Sequence, residues 1–247
     1  MKIIPLAEGW FTVDKTKQFV PFNSSHDQLR DRPAGSLLVE IQPFVVCTAK
    51  EVILLDTGLG YEIDGMLQLH INLRNAGIDP LSVTKVILSH LHKDHCGGMI
   101  KRKEEFIEPA FPNATYYVQE AELQHALQHI GPSYPAAPVE WLASYEKVVR
   151  LQGDQTIDGL ITCAMSGGHA RFHQSILISE HNEFIFYGGD EAPQLQQMRH
   201  RFVAKYDFDG RRAMELRQQW WNQGEQEGWT FLFYHDVKNP SFSFQQS

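Results

Sequence analysis

The sequence predicts an α/β protein built as a four-layer αβ/βα sandwich, with two mixed β-sheets face to face and helices on their outer faces. Three observations lead there. Short runs rich in Val, Ile and Phe alternate with stretches of helical periodicity. The first apolar runs pair as hairpins, and helices separate the later ones. The same order then repeats in the second half of the chain.

Each element follows from its residues. Ser36–Ile41 continues past Pro43 as Phe44–Cys47, turns at Ala49-Lys50-Glu51 and returns as Val52–Leu55. This reads as a hairpin with Pro43 at a bulge or edge, because proline cannot donate to a ladder. Met66, Leu69 and Leu73 recur at helical spacing, and Gly77 and Pro80 stop that helix. Val86-Ile87-Leu88 is a short buried strand, and Tyr116-Tyr117-Val118 is another. Leu123, Ala126, Leu127 and Ile130 mark the apolar face of a helix that Gly131-Pro132 ends. Residues 131–140, with Pro132, Pro135 and Pro138, read as a loop and a candidate lid, followed by a helix around Trp141–Val149. Ile161–Met165 is a strand, and Ser175–Ile178 pairs with Phe184–Tyr187 across a turn at His181-Asn182. A helix over Gly210–Gln223 and a strand at Phe231–Tyr234 complete the chain. No linker-like segment divides residues 1–247, so a single domain is expected.

Bulk properties exclude several classes. A length of 247 residues, 43% hydrophobic and 21% charged, is ordinary for a globular protein with a sizeable core. The net charge of −8 argues against a broad nucleic-acid-binding surface, and Lys101-Arg102-Lys103 is followed at once by Glu104-Glu105. A small anionic substrate stays open, since a metal ion would bring its own positive charge. Cys47, Cys96 and Cys163 have no paired spacing, so neither a disulfide framework nor a thiolate metal motif is expected. The apolar run after Met1 is too short for a secretory signal, and no stretch approaches the ~20 apolar residues of a membrane span. A cytoplasmic protein with a small-molecule substrate and neither a nucleic-acid nor a membrane partner is expected; a homodimer is compatible with all of this.

The chemistry centres on Ser89-His90-Leu91-His92-Lys93-Asp94-His95-Cys96-Gly97-Gly98, an H-x-H-x-D-H pattern at a strand end. Period-two geometry sends His90 and His92 to one side. Asp94 and His95 sit where a helix could begin, and they point elsewhere. Imidazole and carboxylate are donors that borderline divalent metals prefer, so one pair could hold one ion and the other pair a second. Cys96 reads as a small packed residue. His125 and His129, at i and i+4 beside Glu122, read as a solvated helix surface. Trp220-Trp221 fits a pocket lining or a helix face packed on a sheet equally well.

This motif resembles the metallo-β-lactamase fold superfamily, and the resemblance covers nearly the whole chain. It implies a two-metal site closed by three later residues: His169 in Gly168-His169, Asp190 in Gly189-Asp190, and His235 in Tyr234-His235. By the resemblance, one ion takes His90, His92 and His169, the other takes Asp94, His95 and His235, and Asp190 bridges them. Asp56 in Leu55-Asp56-Thr57-Gly58 matches an aspartate that buttresses the site without ligating. Zinc is the expected ion; Mn2+, Co2+ and Fe2+ fit the same donors. The expected function is metal-dependent hydrolysis of an ester, lactone or similar small molecule. The nucleophile would be a hydroxide from water whose pKa a metal pair lowers from about 15.7 toward neutrality. Asp94 and Asp190 are the expected catalytic carboxylates, with Asp94 placed to orient the water and relay its proton.

Within the superfamily the chain looks most like the acyl-homoserine-lactone lactonases and their organophosphate-hydrolase relatives. The Gly168–Ser175 stretch carries that look, as does Tyr206-Asp207-Phe208-Asp209-Gly210 before a helix. It departs from them at Asp190-Glu191-Ala192-Pro193-Gln194, which has no tyrosine where those lactonases place one. Tyr134 and Tyr187 are the candidates to replace it. His173 is expected to hydrogen-bond near the site without ligating. Two alternatives share the motif: a mononuclear iron dioxygenase acting on a persulfide-type substrate, and a phosphoester or nuclease-type hydrolase. The full two-metal ligand set favours the hydrolase over the first, and the acidic balance disfavours a nuclease.

Overall fold

The structure, a computed structural model, describes residues 1–103 and 106–244. Glu104 and Glu105, the acidic pair set against Lys101–Lys103, lie outside the described residues.

Two six-stranded mixed sheets form the centre. The first runs in the order Lys2–Pro5, Phe44–Cys47, Val52–Leu55, Lys85–Ile87, Thr115–Gln119, Val148–Leu151. Its first three strands are antiparallel and its later neighbours parallel. The second runs Gln155–Ile157, Ile161–Met165, Gln174–Glu180, Glu183–Tyr187, Thr230–Leu232, Ser241–Ser243, with one parallel pairing, between Glu183–Tyr187 and Thr230–Leu232. Each parallel step needs a crossover, and the helices supply them. Gln68–Asn75 crosses in the first sheet; Leu195–Arg199 and Gly210–Glu227 cross in the second.

Strand alternation builds the layers. Phe44, Val46, Ile53, Leu55 and Ile87 face Ile161, Ile176, Ile178, Ile185 and Leu232 in the core between the sheets. Their neighbours Val45, Leu54 and Val86 point the other way, onto Leu69, Leu73, Leu123 and Leu142 of the outer helices. Phe186 and Phe231 do the same on the far side, packing with Met198, Trp220 and Trp221. The four-layer sandwich is as expected. Trp220 and Trp221 resolve to the packed alternative, since they belong to that outer core.

Several local readings are corrected. Pro43 is where the chain changes sheets: Leu37–Ile41 pairs with Gly9–Val13 in a separate three-stranded sheet, and Phe44–Cys47 starts the first main sheet. The Pro-rich loop is shorter than expected, because a helix spans Ala136–Ser144, and Val148–Leu151 is a strand. Pro138 lies in the first turn of that helix, where its missing N–H costs no intrahelical bond. Ile130 falls beyond the helix Glu120–Gln128 and is exposed. Met66-Leu67 is a two-residue strand ahead of the helix Gln68–Asn75. The turn at His181-Asn182 forms as read, both residues taking φ near +60° (51° and 65°), as a tight hairpin turn requires.

Candidate metal centre

The cluster gathers just beyond the carboxyl ends of strands, where open α/β sheets present their sites. Val52–Leu55 delivers Asp56, Lys85–Ile87 delivers His90 and His92, Glu183–Tyr187 delivers Asp190, and Thr230–Leu232 delivers His235. A single helical turn, Lys93–Cys96, carries Asp94 and His95. The glycines after it allow a close backbone approach: a Cβ on Gly98 would sit 2.1 Å from the carbonyl oxygen of Thr57. That contact ties the motif to the Asp56 loop.

The seven predicted ligands form two overlapping groups. His90, His92, His169 and Asp190 make one; Asp94, His95, Asp190 and His235 make the other. In each, the donor atoms lie within 4.8 Å of one another. Asp190 belongs to both through different oxygens. Its Oδ2 lies 3.2 Å from His169 Nε2, while its Oδ1 lies 2.9 Å from His235 Nε2 and 3.1 Å from His95 Nε2. Asp94 Oδ2 closes the second group, 3.5 Å from His235 Nε2 and 3.6 Å from His95 Nε2.

The donor chemistry fits divalent cations, and the hydrogen bonds behind the rings say why. Asp56 can only accept, so the ring nitrogen of His95 beside it, Nδ1 at 2.7 Å from Oδ2, carries the proton. Its Nε2 then presents a lone pair to the cluster. Asp207 Oδ1 does the same for His169 Nδ1 at 3.0 Å, and the Glu40 carbonyl for His235 Nδ1 at 2.7 Å. The Ser89 hydroxyl donates to Asp56 at 2.6 Å and therefore accepts from His90 Nδ1 at 3.1 Å. The lone pairs so presented by His90 and His169 converge on one ring: His90 Nε2 is 2.9 Å from His92 Nδ1, and His169 Nε2 is 3.3 Å from it. Buried His95 Nε2 and Asp190 Oδ1 have no hydrogen-bond partner. Converging lone pairs and unpartnered buried atoms suit cations between them, with the outer partners fixing tautomer and ring orientation.

Electrostatics agree. Burial, reinforced by neighbouring imidazoles, holds His90 and His92 well below the ordinary histidine value, in the neutral form a metal needs. Burial also pulls on His95, but Asp190, Asp94 and Asp56 outweigh it and push that ring well above. Asp190 is held well below the usual carboxylate range: its burial is overcome by His235, His95 and His169. The second group thus has surplus negative charge that draws in protons; a divalent ion would displace them.

Asp56 is the buttress. Fully buried, it accepts from the Ser89 amide at 2.7 Å, the Ser89 hydroxyl, His95 Nδ1 and the Tyr187 hydroxyl at 2.5 Å. Tyr187 is thereby committed behind the site. Tyr134 packs against His92, ring centroids 5.0 Å apart, with its hydroxyl turned to Glu122. The tyrosine lining the cavity over the cluster is Tyr206, whose ring is 6.0 Å from that of His169. His173 bonds through Nδ1 to Ser166 Oγ at 2.8 Å and is no member of either group, and Cys96 is buried with its thiol on the Leu91 carbonyl.

Other residues escaped the sequence reading. Glu122, expected on a solvated surface with His125 and His129, is buried and accepts at 3.0 Å from the amide of Leu91, between His90 and His92. His129 is exposed, as expected, whereas His125 is half-buried, its ring against those of Tyr134 and Phe172. Glu191 accepts from the Gly168 amide at 2.5 Å and so steadies the loop bearing His169. Asp207 sits in the Tyr-Asp-Phe-Asp segment noted above, but nothing in that segment says which aspartate turns inward. Asp209 caps the helix Gly210–Glu227, and Asp207 reaches His169.

The cavity over the cluster measures about 670 Å³ and is lined by His92, Asp94, His169, Asp190 and His235 at its floor. Val13, Phe19, Leu37 and Val39 of the small sheet wall one side, and Phe202 and Val203 the other. Pro132 and Ser133 of the loop read as a candidate lid also line it.

Comparison with known proteins matches this architecture to one family. Residues 40–227 match the metallo-beta-lactamase superfamily, and the chain belongs to it. Among curated relatives, N-acyl homoserine lactonase AttM of Azorhizobium caulinodans is 33% identical over 113 residues, 41% of this chain and 38% of that protein. AttM of Rhizobium johnstonii is 32% identical over the same shares. The matched stretch thus spans well under half of those relatives' length. A probable metal-dependent hydrolase from Staphylococcus aureus superposes with a TM-score of 0.80 at 19% identity, covering 98% of this chain and 92% of that one. The dizinc quorum-quenching lactonase AidC, solved with the product of its reaction, superposes at 0.71 and 20% identity, covering 97% and 88%. These structural likenesses establish the fold.

Proposed function

We propose that this protein is a metal-dependent hydrolase that holds two divalent ions, zinc first among them, and acts on an ester or lactone of a small molecule. The observation that carries the proposal is Asp190, which offers one oxygen to each of two complete ligand groups. One ion would sit among His90, His92 and His169 and the other among Asp94, His95 and His235. When bound, such a pair supplies Lewis acidity and a nucleophile from water at neutral pH. The chain's own residues supply the rest. Asp56, Asp207 and the Glu40 carbonyl hold the ligand rings in register. Asp94 lines the cavity, where its carboxylate can take a proton from the attacking water and pass it to the leaving group. The apolar walls orient the substrate and exclude bulk water from a floor of buried ligands. The lactonase names of the curated relatives, and the product-bound lactonase among the structural neighbours, support an ester or lactone over other electrophiles.

Elemental analysis of protein purified without added metal, followed by assay on lactones, aryl esters, phosphotriesters, phosphodiesters and β-lactams, tests this reading. Two divalent ions per chain with turnover of a lactone or ester is expected. Iron at one per chain, with oxygen uptake on a persulfide, would overturn it.

A further inference from the structure

The cavity over the ligands carries charge of a sign opposite to that of the chain. The protein is acidic, at −8, yet Lys15, Lys17, Lys93 and Lys205 all line this one cavity. They come from three separate places: the turn between Gly9–Val13 and Phe19–Pro21, the motif helix, and the segment ahead of Gly210–Glu227. Among the described residues none of the four forms a salt bridge, whereas Lys85 is held between Glu51 at 2.8 Å and Asp158 at 3.1 Å. Asp14, Asp94 and Asp190 share the lining, one carboxylate fewer than the lysines. Asp94 and Asp190 belong to the ligand groups, where bound cations would take up their charge, and Asp14 lies beside Lys15 at the turn.

Lys17 also breaks a local rule. Its φ is 58°, in the left-handed region that glycine or asparagine normally fills, and its amide closes the turn on the Asp14 carbonyl at 3.0 Å. A lysine kept there at a conformational cost is the kind of local exception that gathers at functional sites. It lines the same cavity as His92 and Lys93. Lys93 lies with its ammonium 5.2 Å from the centre of the Phe19 ring, so an apolar wall and a cation share one edge of the cavity.

We infer that the cavity selects substrates carrying an anionic group, a carboxylate or a phosphate, on an apolar body, with Lys17, Lys93 and Lys205 receiving the anion while the ester or lactone group lies at the ligand floor. This deepens the hydrolase reading and rests on it for the scissile group, but anion binding can be measured without turnover. Ammonium groups converging beside low-dielectric walls concentrate an anionic ligand and weaken as salt screens them.

The test compares mono-4-nitrophenyl suberate, whose far end is a free carboxylate, with its neutral methyl ester on the metal-loaded enzyme. The expected kcat/KM ratio favours the free acid by tenfold or more. It should fall toward one in 0.5 M salt and in the K17Q/K205Q double variant, and stay unchanged in K50Q, a lysine remote from the cavity. Lys17→Gly should lower the ratio while raising Tm, because glycine relieves the positive φ; a lysine with a merely structural role would not give that pairing. Hydrolysis of both esters with a ratio near one or below overturns the inference and leaves the hydrolase reading standing. If neither ester is hydrolysed, calorimetric titration with octanoate, octyl phosphate and neutral octanamide decides. Lysine-dependent binding of an anion over the amide upholds the inference, the two anions showing which head group is preferred. Absence of that preference overturns it.

Discussion

Replacing Asp56 by asparagine changes one heavy atom and should weaken one half of the metal centre. The carboxylate accepts four hydrogen bonds in a fully buried setting: Ser89 amide to Oδ1, and Ser89 hydroxyl, His95 Nδ1 and Tyr187 hydroxyl to Oδ2. The Ser89 amide is a fixed donor, so the one oxygen left on the substituted side chain must stay at the Oδ1 position and the new NH2 must face the other three groups. Two of those are hydroxyls that can rotate. His95 cannot, and avoids a clash of donors only by moving its proton from Nδ1 to Nε2. That removes the lone pair aimed at Asp94, His235 and Asp190. Loss of such an outer partner costs about 10–100-fold in metal affinity. Breaking this buried network should also cost about 3 kcal/mol, since each unsatisfied buried donor costs about 1–3 kcal/mol and the hydroxyls re-pair in part. For a chain of this size that is a fall of about 10 °C in Tm. Backbone strain is not a confounder, because asparagine tolerates the positive φ of 56° here as well as aspartate does. The assay is metal stoichiometry by elemental analysis after dialysis against a graded chelator, alongside thermal melts. A variant that keeps two ions at wild-type affinity would refute the tautomer argument.

Other predictions follow from the same geometry. Asp190→Ala removes the one side chain shared by both groups, so metal content and hydrolysis should fall together; full activity with one ion per chain would contradict the bridging role. Gly98→Ala should destabilise by more than about 3 kcal/mol, because the new Cβ meets backbone 2.1 Å away and neither segment can yield; a melt within a few degrees of wild type would count against it. Glu8 is pushed up to about 8 from 4.5 by burial, against the lowering pull of the Leu59 amide. The folded chain therefore holds that proton to higher pH than the unfolded chain, and this group's contribution to stability is lost as pH rises from 4.5 through about 8. Glu8→Gln should flatten that loss and melt higher than wild type at pH 9, by an amount on the order of 3 kcal/mol; an unchanged pH profile would sink the assignment. His70, edge-to-face with Phe111, is held down to about 4, mainly by burial and next by Lys101. The unfolded chain takes up the proton first, so stability should fall as pH drops from 6.5 toward 4, by about 1–2 kcal/mol after solvent screening. His70→Gln should lessen that fall in melts between pH 7 and 5.

The parts of this site that could be read from sequence are those whose chemistry is local. His90, His92, Asp94 and His95 announce themselves because four donor residues crowd one strand end. His169, Asp190 and His235 needed a family pattern, since each alone is an ordinary polar residue after a strand. The outer partners were the hardest. Asp207 and Asp209 are alike in sequence, and one caps a helix while the other accepts from the His169 ring. Glu122 shares a helix face with His125 and His129 by spacing, yet the turn that bears Leu91 covers it. Proline density hid the helix Ala136–Ser144, because first-turn positions tolerate the residue that interiors reject. The lysines lining the cavity were invisible for a related reason: a charge census weighs the whole surface and says nothing about which four residues converge.

The most direct test is anomalous diffraction at the zinc edge on crystals of protein loaded with Zn2+. Two peaks are predicted per chain, one in coordinating reach of His90, His92 and His169 and one of Asp94, His95 and His235, with the carboxylate of Asp190 touching both. A single peak, or none within reach of Asp190, would contradict the two-ion centre on which the proposed hydrolysis depends.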